Sequence, residues 1–129
     1  MLFRSAARDQ DGVVARHAVG PVAELPPGSV RIVTLGKRSI GVYNVRGAFH
    51  AINNFCPHQG GPLCLGPVTG VSVADEPYEF RWVREGEIVR CPWHRWEVDI
   101  TTGAVLTDPS LRVKRYEVRV EDGEVVLEA

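Results

Sequence analysis

The sequence predicts an all-β domain built from antiparallel strands. Short runs rich in β-branched and aromatic residues recur, turn signals separate them, and no window carries a helical period. Nine prolines and thirteen glycines in 129 residues also work against long helices. The candidate strands in order are Val13–Val19, Val30–Leu35, Ser39–Val45 and Ala48–Ile52, then Tyr78–Val83, Ile88–Arg90, Trp96–Ile100, Ala104–Leu106, Val113–Val120 and Val125–Glu128. Gly36-Lys37-Arg38 and Arg46-Gly47 turn the chain early. Glu85-Gly86, Thr102-Gly103 and Asp122-Gly123 suit two- or three-residue hairpin loops. Alternation is clearest in Val113–Val120, a half-buried strand. No internal repeat or low-complexity tract is visible.

Length and composition set further bounds. The chain has the size of one domain, 1–129, with 44% hydrophobic and 24% charged residues, ordinary values for a globular protein. A net charge of −1 implies no strongly basic face and argues against nucleic acid as a partner. Residues 1–55 hold seven basic and three acidic side chains, a balance of +4, whereas residues 56–129 hold eight and thirteen, a balance of −5. That polarity is either chance with an acidic tail or a field that orients a partner. No run approaches the roughly 18 apolar residues of a membrane span, and the N-terminus has no signal-peptide core. The expectation is a cytoplasmic protein with no membrane partner. Three cysteines do not suggest a disulfide framework, and cysteines beside histidines in such a chain point to metal.

The middle of the chain differs from its ends. Asn53 to about Asp108 holds all three cysteines and the tryptophans. It reads as a metal-binding subdomain, about 53–108, inserted into a base formed by about 12–52 and 109–128. Two segments carry the chemistry, Cys56-Pro57-His58 and Cys91-Pro92-Trp93-His94, with thirty-two residues between His58 and Cys91. Each offers one thiolate and one imidazole, and each has proline after its cysteine, which fixes φ and stiffens the loop. A Cys2His2 zinc-binding module is one alternative, although its usual signature pairs like ligands with like. Buried cysteines with unrelated surface histidines are another.

The segments resemble the Rieske family, whose pattern is C-x-H, a spacer, then C-x-x-H. The wider runs CPHQGGPLC (56–64) and CPWHRWEVDITTG (91–103) are similar to the ferredoxin-like Rieske domains of bacterial oxygenase systems. GVYNVRGAFHAINNFCPH and the YEVRVEDGEV ending also fit, so the similarity covers most of residues 20–128. The resemblance implies antiparallel sheets or a barrel with two cluster-binding loops. It implies one [2Fe–2S] cluster, with Cys56 and Cys91 on one iron and His58 and His94 on the other, more exposed iron. Histidine in place of thiolate raises the potential.

The same resemblance implies a single-electron carrier rather than an enzyme, taking electrons from a flavin-dependent or similar reductase and giving them to a terminal oxygenase or other redox enzyme. A small accessory subunit of a larger reductase, of the nitrite reductase type, stays open. A terminal oxygenase does not fit, because His17 and His50 are the only other histidines and few residues follow the second loop.

This chain departs from relatives in several places. Respiratory-chain members carry an extra cysteine in each loop, joined as a disulfide; here Pro92 and Trp93 fill the second loop and Cys64 stands without that partner. Their serine and tyrosine donors past the last histidine are Trp96 and Val98 here, and fewer donors stabilise the reduced charge less. The glycine usual after the last histidine is Arg95, a costly exchange if φ must be positive. The spacer is long, with the excess expected in Gly66–Phe80. Cys64 is expected to be a buried loop residue, His17 and His50 to serve surface or packing roles, and Trp82, Trp93 and Trp96 to be mostly core, with Trp93 shielding the cluster.

Overall fold

The structure, a computed structural model, describes residues 15–57, 60–76, 79–93 and 95–129, and only the backbone of 71–82. The alternating sequence folds into strands β1 (Arg16–Pro21), β2 (Val30–Leu35), β3 (Arg38–Val45) and β4 (Ala48–Asn53) before the first cysteine. Between the cysteines lie β5 (Val68–Glu76) and β6 (Glu79–Arg90). After them come β7 (Glu97–Asp99), β8 (Ala104–Val105), β9 (Asp108–Arg112), β10 (Arg115–Glu121) and β11 (Glu124–Glu128). Among the described residues there is no α-helix, only 3-10 turns at Val22–Glu24 and Leu63–Leu65. None is long and apolar enough to cross a membrane.

Two antiparallel sheets result. One has the order β1-β11-β10-β4-β3-β2, the other β5-β6-β7-β8-β9. β3 explains how they share a core. Its residues 40–45 are all buried, and successive side chains leave a strand on opposite faces. Ile40 and Val42 join Leu25, Val125 and Leu127 in one apolar cluster. Tyr43 and Val45 join Ile52, Val89, Val98 and Ile100 in the other, which also contains Cys56 and Cys91. β3 is thus the wall between a structural core and the core beneath the cysteine loops.

Several expected turns hold. Arg46-Gly47 and Asp122-Gly123 both have positive φ at the two central residues (53° and 96°, 53° and 77°), as tight hairpins with right-handed strand twist require. Glu85-Gly86 is different, because it lies inside β6 rather than between two strands. Thr69 pairs with Ile88 and Val71 with Val83, so residues 84–87 bulge out opposite Gly70. Arg84 (φ 60°) and Gly86 (φ 89°) make the detour possible, and a Cβ at Gly70 would strike the Val83 carbonyl.

The long spacer is therefore a hairpin of β5 and β6. The sequence pattern placed no strand over its first arm, which Gly70 interrupts at the bulge. β9 also escaped the pattern: it begins Asp108-Pro109 and lies at a sheet edge, where proline is tolerated.

Ion pairs hold the bulge. Arg84 reaches Glu87 at 2.8 Å and also Asp99 of β7. Arg46, in the other sheet's hairpin turn, donates to the Glu85 carbonyl at 3.0 Å and pairs with Glu87 at 3.1 Å. Asp99 is buried and also accepts from the Thr101 N–H and hydroxyl at 2.9 and 2.6 Å. Burial alone would raise this carboxyl, but the hydrogen bonds from Thr101 and Arg84 outweigh it and hold it below its usual range.

A depressed folded-state value contributes stability above the ordinary carboxylate range and loses it as pH falls through the folded value. Asp99→Asn should therefore cost about 1–3 kcal/mol near neutral pH. Denaturant melts should show the gap from wild type closing below about pH 4. A gap that persists there would place the effect in packing rather than charge.

Candidate metal centre

Two loops carry the expected thiolates, and their backbones close in the same way. In the first, which follows β4, the Cys56 N–H donates to the Gly61 carbonyl at 2.9 Å and the Gly60 N–H donates to the Cys56 carbonyl at 2.8 Å. In the second, which follows β6, the Cys91 N–H donates to the Trp96 carbonyl and the Arg95 N–H to the Cys91 carbonyl, both at 2.8 Å. Each cysteine thus heads a small ring, followed by a proline, with a left-handed residue four positions on: Gly60 at φ 77° and Arg95 at φ 60°. The suspected need for positive φ after the last histidine is real, and arginine meets it at a steric cost of roughly 1–2 kcal/mol.

The structure places Cys56 and Cys91 together in one buried cluster, each 1% exposed. None of the three cysteines is in a disulfide. His58 and His94 lie outside the described residues.

The loops approach each other through glycines. A Cβ on Gly61 would lie 2.8 Å from the Trp93 ring, and one on Gly66 would overlap the Arg90 carbonyl and come within 3.0 Å of Pro92 Cδ. Trp93 is not core: it is 57% exposed, although its ring abuts Gly61 of the first loop. Phe55 (57%) and Leu65 (66%) are similarly exposed. Trp96 is half-buried, and the Trp82 side chain lies outside the described set. His50 is half-buried on β4, and burial, with help from Arg115 and against Asp99, lowers its affinity for a proton. His17 sits on β1 with its Nε2 buried and without a hydrogen-bond partner among the described residues. Both occupy packing positions.

Cys64 is buried, as expected. Its N–H donates to Asn54 Oδ1 at 2.7 Å, while Asn54 Nδ2 donates to Ser39 Oγ at 3.1 Å. Asn54 thus pins the first loop to the base, a role with no signal in the sequence beyond a polar residue beside a turn. The thiol points at the Ile52 and Asn53 carbonyls, 3.8 and 3.9 Å away, and fills the space left by Gly41, whose Cβ would fall 2.5 Å from the sulfur. The buried Tyr43 hydroxyl faces it without a well-formed hydrogen bond. Burial pushes the Cys64 thiol up to about 11, against the smaller opposing pull of Tyr43 and the Gly41 backbone. A thiol held neutral in this way is a poor nucleophile.

Residues 15–117 match the family model of the Rieske [2Fe-2S] domain. Apoptosis-inducing factor 3 of Homo sapiens is 33% identical over 121 residues, covering 93% of this chain and 17% of that protein. The chain therefore spans only a small part of that relative. The ferredoxin component of the naphthalene 1,2-dioxygenase system of Pseudomonas aeruginosa is 27% identical over 106 residues, covering 81% of this chain and 86% of that one. Among solved structures, the Sphingomonas yanoikuyae B1 ferredoxin matches with a TM-score of 0.65 at 28% identity, over 88% of this chain and 98% of its own.

The Cys64 environment has a measurable consequence. A thiol value raised in the folded state gives stability that is complete below its ordinary value of 9.0 and lost as pH rises through about 11. Wild type should lose up to about 2 kcal/mol across that window. Cys64→Ser should lose less, since serine does not ionise there. Parallel stability curves for the two proteins would show that the native thiol ionises near its ordinary value.

Proposed function

The chain belongs to the Rieske [2Fe–2S] domain family, and from that premise we propose that it is a one-electron carrier with no catalytic site of its own. It would take electrons from a reductase and pass them to an oxygenase or a similar redox enzyme. The observation that carries this reading is the pair of like-built loops that bury Cys56 and Cys91 in one apolar cluster. Two sulfur donors brought by separate loops into one dry apolar cluster suit a soft metal centre. The donor set therefore fits the family's cluster.

In this reading Cys56 and Cys91 hold one iron, and His58 and His94 the other. The six-stranded sheet is the base, and the five-stranded sheet with its loops is the cluster-binding unit. When bound, the cluster supplies a reversible one-electron couple. The chain decides the conditions. Two thiolates and two neutral imidazoles make the site neutral when oxidised and −1 when reduced; four thiolates would take it from −2 to −3. Burial of Cys56 and Cys91 keeps water from the sulfurs. Each histidine would bind through one ring nitrogen and carry its proton on the other. The similarity to ferredoxin components, over most of their length, supports the carrier role.

Iron and acid-labile sulfide should each be found at two per chain in anaerobically purified protein. Cys91→Ser should lose the visible absorption, whereas Cys64→Ser should keep it. Stoichiometric zinc without labile sulfide would overturn the assignment.

The potential should fall in the lowest third of a class that spans about −150 to +300 mV, because Trp96 and Val98 cannot donate hydroxyl hydrogen bonds. It should also decline with rising pH once the oxidised-state imidazole begins to lose its proton. Film voltammetry against pH reads both, and a value above roughly +150 mV would contradict the first.

A further inference from the structure

Among the described residues, four non-glycines have left-handed backbone: Arg46, Arg84, Arg95 and Asp122. Three have a local reason. Asp122 forms a tight hairpin turn with Gly123, and Arg46 does so with Gly47. The Arg46 and Arg84 guanidinium groups are also tied down by Glu87, by the Glu85 carbonyl and by Asp99. Arg95 is the exception. It is exposed, and its side chain meets no hydrogen-bond or ion-pair partner among the described residues. Its counterpart in the other loop is a glycine, Gly60, so the ring does not call for a side chain at this position. The chain bears the steric cost of arginine with no offsetting hydrogen bond or ion pair among the described residues. Strain of this kind at a functional loop points outward.

The surroundings say what lies outside. Phe55, Leu65 and Trp93 are large apolar residues, each more than half exposed, on or beside the two loops. Gly60 abuts the Phe55 ring, Gly61 abuts the Trp93 ring, and Gly66, next to Leu65, abuts Pro92. The loop tips therefore present apolar surface with one unpaired cation at its margin, in the half of the chain whose balance is −5.

We propose that Arg95 is a docking cation for an electron-exchange partner that carries carboxylates around an apolar seat. The inference rests on the carrier reading above. The apolar side chains bring the two proteins close, and Arg95 selects among partners by charge and sets the orientation. Arg95 sits on the second loop, two residues from the exposed Trp93.

The test uses reduced holoprotein with two protein acceptors of opposite surface charge: plastocyanin, an acidic blue-copper protein, and cytochrome c, a basic haem protein. At low ionic strength, Arg95→Gly should reduce the plastocyanin to cytochrome c rate ratio several-fold, and Arg95→Lys should largely keep it. Leu65→Ser should slow both acceptors alike. Arg95→Gly should also melt a few degrees higher than wild type, because the strain is gone. An unchanged ratio in Arg95→Gly, or a lower melting temperature, would overturn the proposal. Iron and sulfide content, measured on each sample, separates this from the broader reading: a chain without the cluster ends both, and a loaded chain with an unchanged ratio ends only this one.

Discussion

The two cysteine loops meet through glycines. Gly61 lies against the Trp93 ring and Gly66 against the Arg90 carbonyl, and at each a single added carbon would force the loops apart. The rest of the site follows from that contact. With the loops closed, Cys56 and Cys91 fall into one buried cluster with Leu63, Val89 and Val98, and water is excluded from their sulfurs. The exposed parts of the loops are then left to the tips, where Phe55 and Trp93 remain in solvent.

Cys56 and Cys91 share one buried cluster. Their backbone N–H groups are already committed to the Gly61 and Trp96 carbonyls. Cys64 provides an internal comparison. It is equally buried, has no such ring, and is held neutral by its surroundings. The same residue type therefore occupies two settings within one core, at similar burial but with different loop geometry. Tyr43, facing Cys64 from the strand that separates the two cores, fills space without making a strong hydrogen bond.

Strand alternation made most of the fold legible, because burial on one face imposes period two. β2 was read to the residue, and β10 and β11 to within two. The failures have local causes. Gly70 and Glu85-Gly86 look like breaks in a one-dimensional pattern, but across the ladder they are two halves of one bulge. Pro109 hides an edge strand for the same reason: only the pairing tells which backbone groups need a partner. Near the loops, the pairing of Cys56 and Cys91 in one buried cluster agrees with the sequence pattern of two cysteine-proline segments. The likeness of the loops was not legible, since Gly60 and Arg95 share a backbone angle and nothing in their chemistry. The exposure of Trp93 was misjudged because tryptophan is usually buried on average, and here the ring abuts Gly61 yet stays exposed. Asn54 gave no sign of its role, which depends on Ser39 and Cys64 arriving from distant parts of the chain.

A ring closed by its own backbone asks little of the side chain four places after its cysteine, only that the residue accept left-handed φ. Gly60 uses the position to let an aromatic ring approach, and Arg95 uses it to carry a charge. The position behaves as a socket. Its contents can change without breaking the backbone ring that seats the cysteine, so the fold of the loop and the chemistry of its surface are separable.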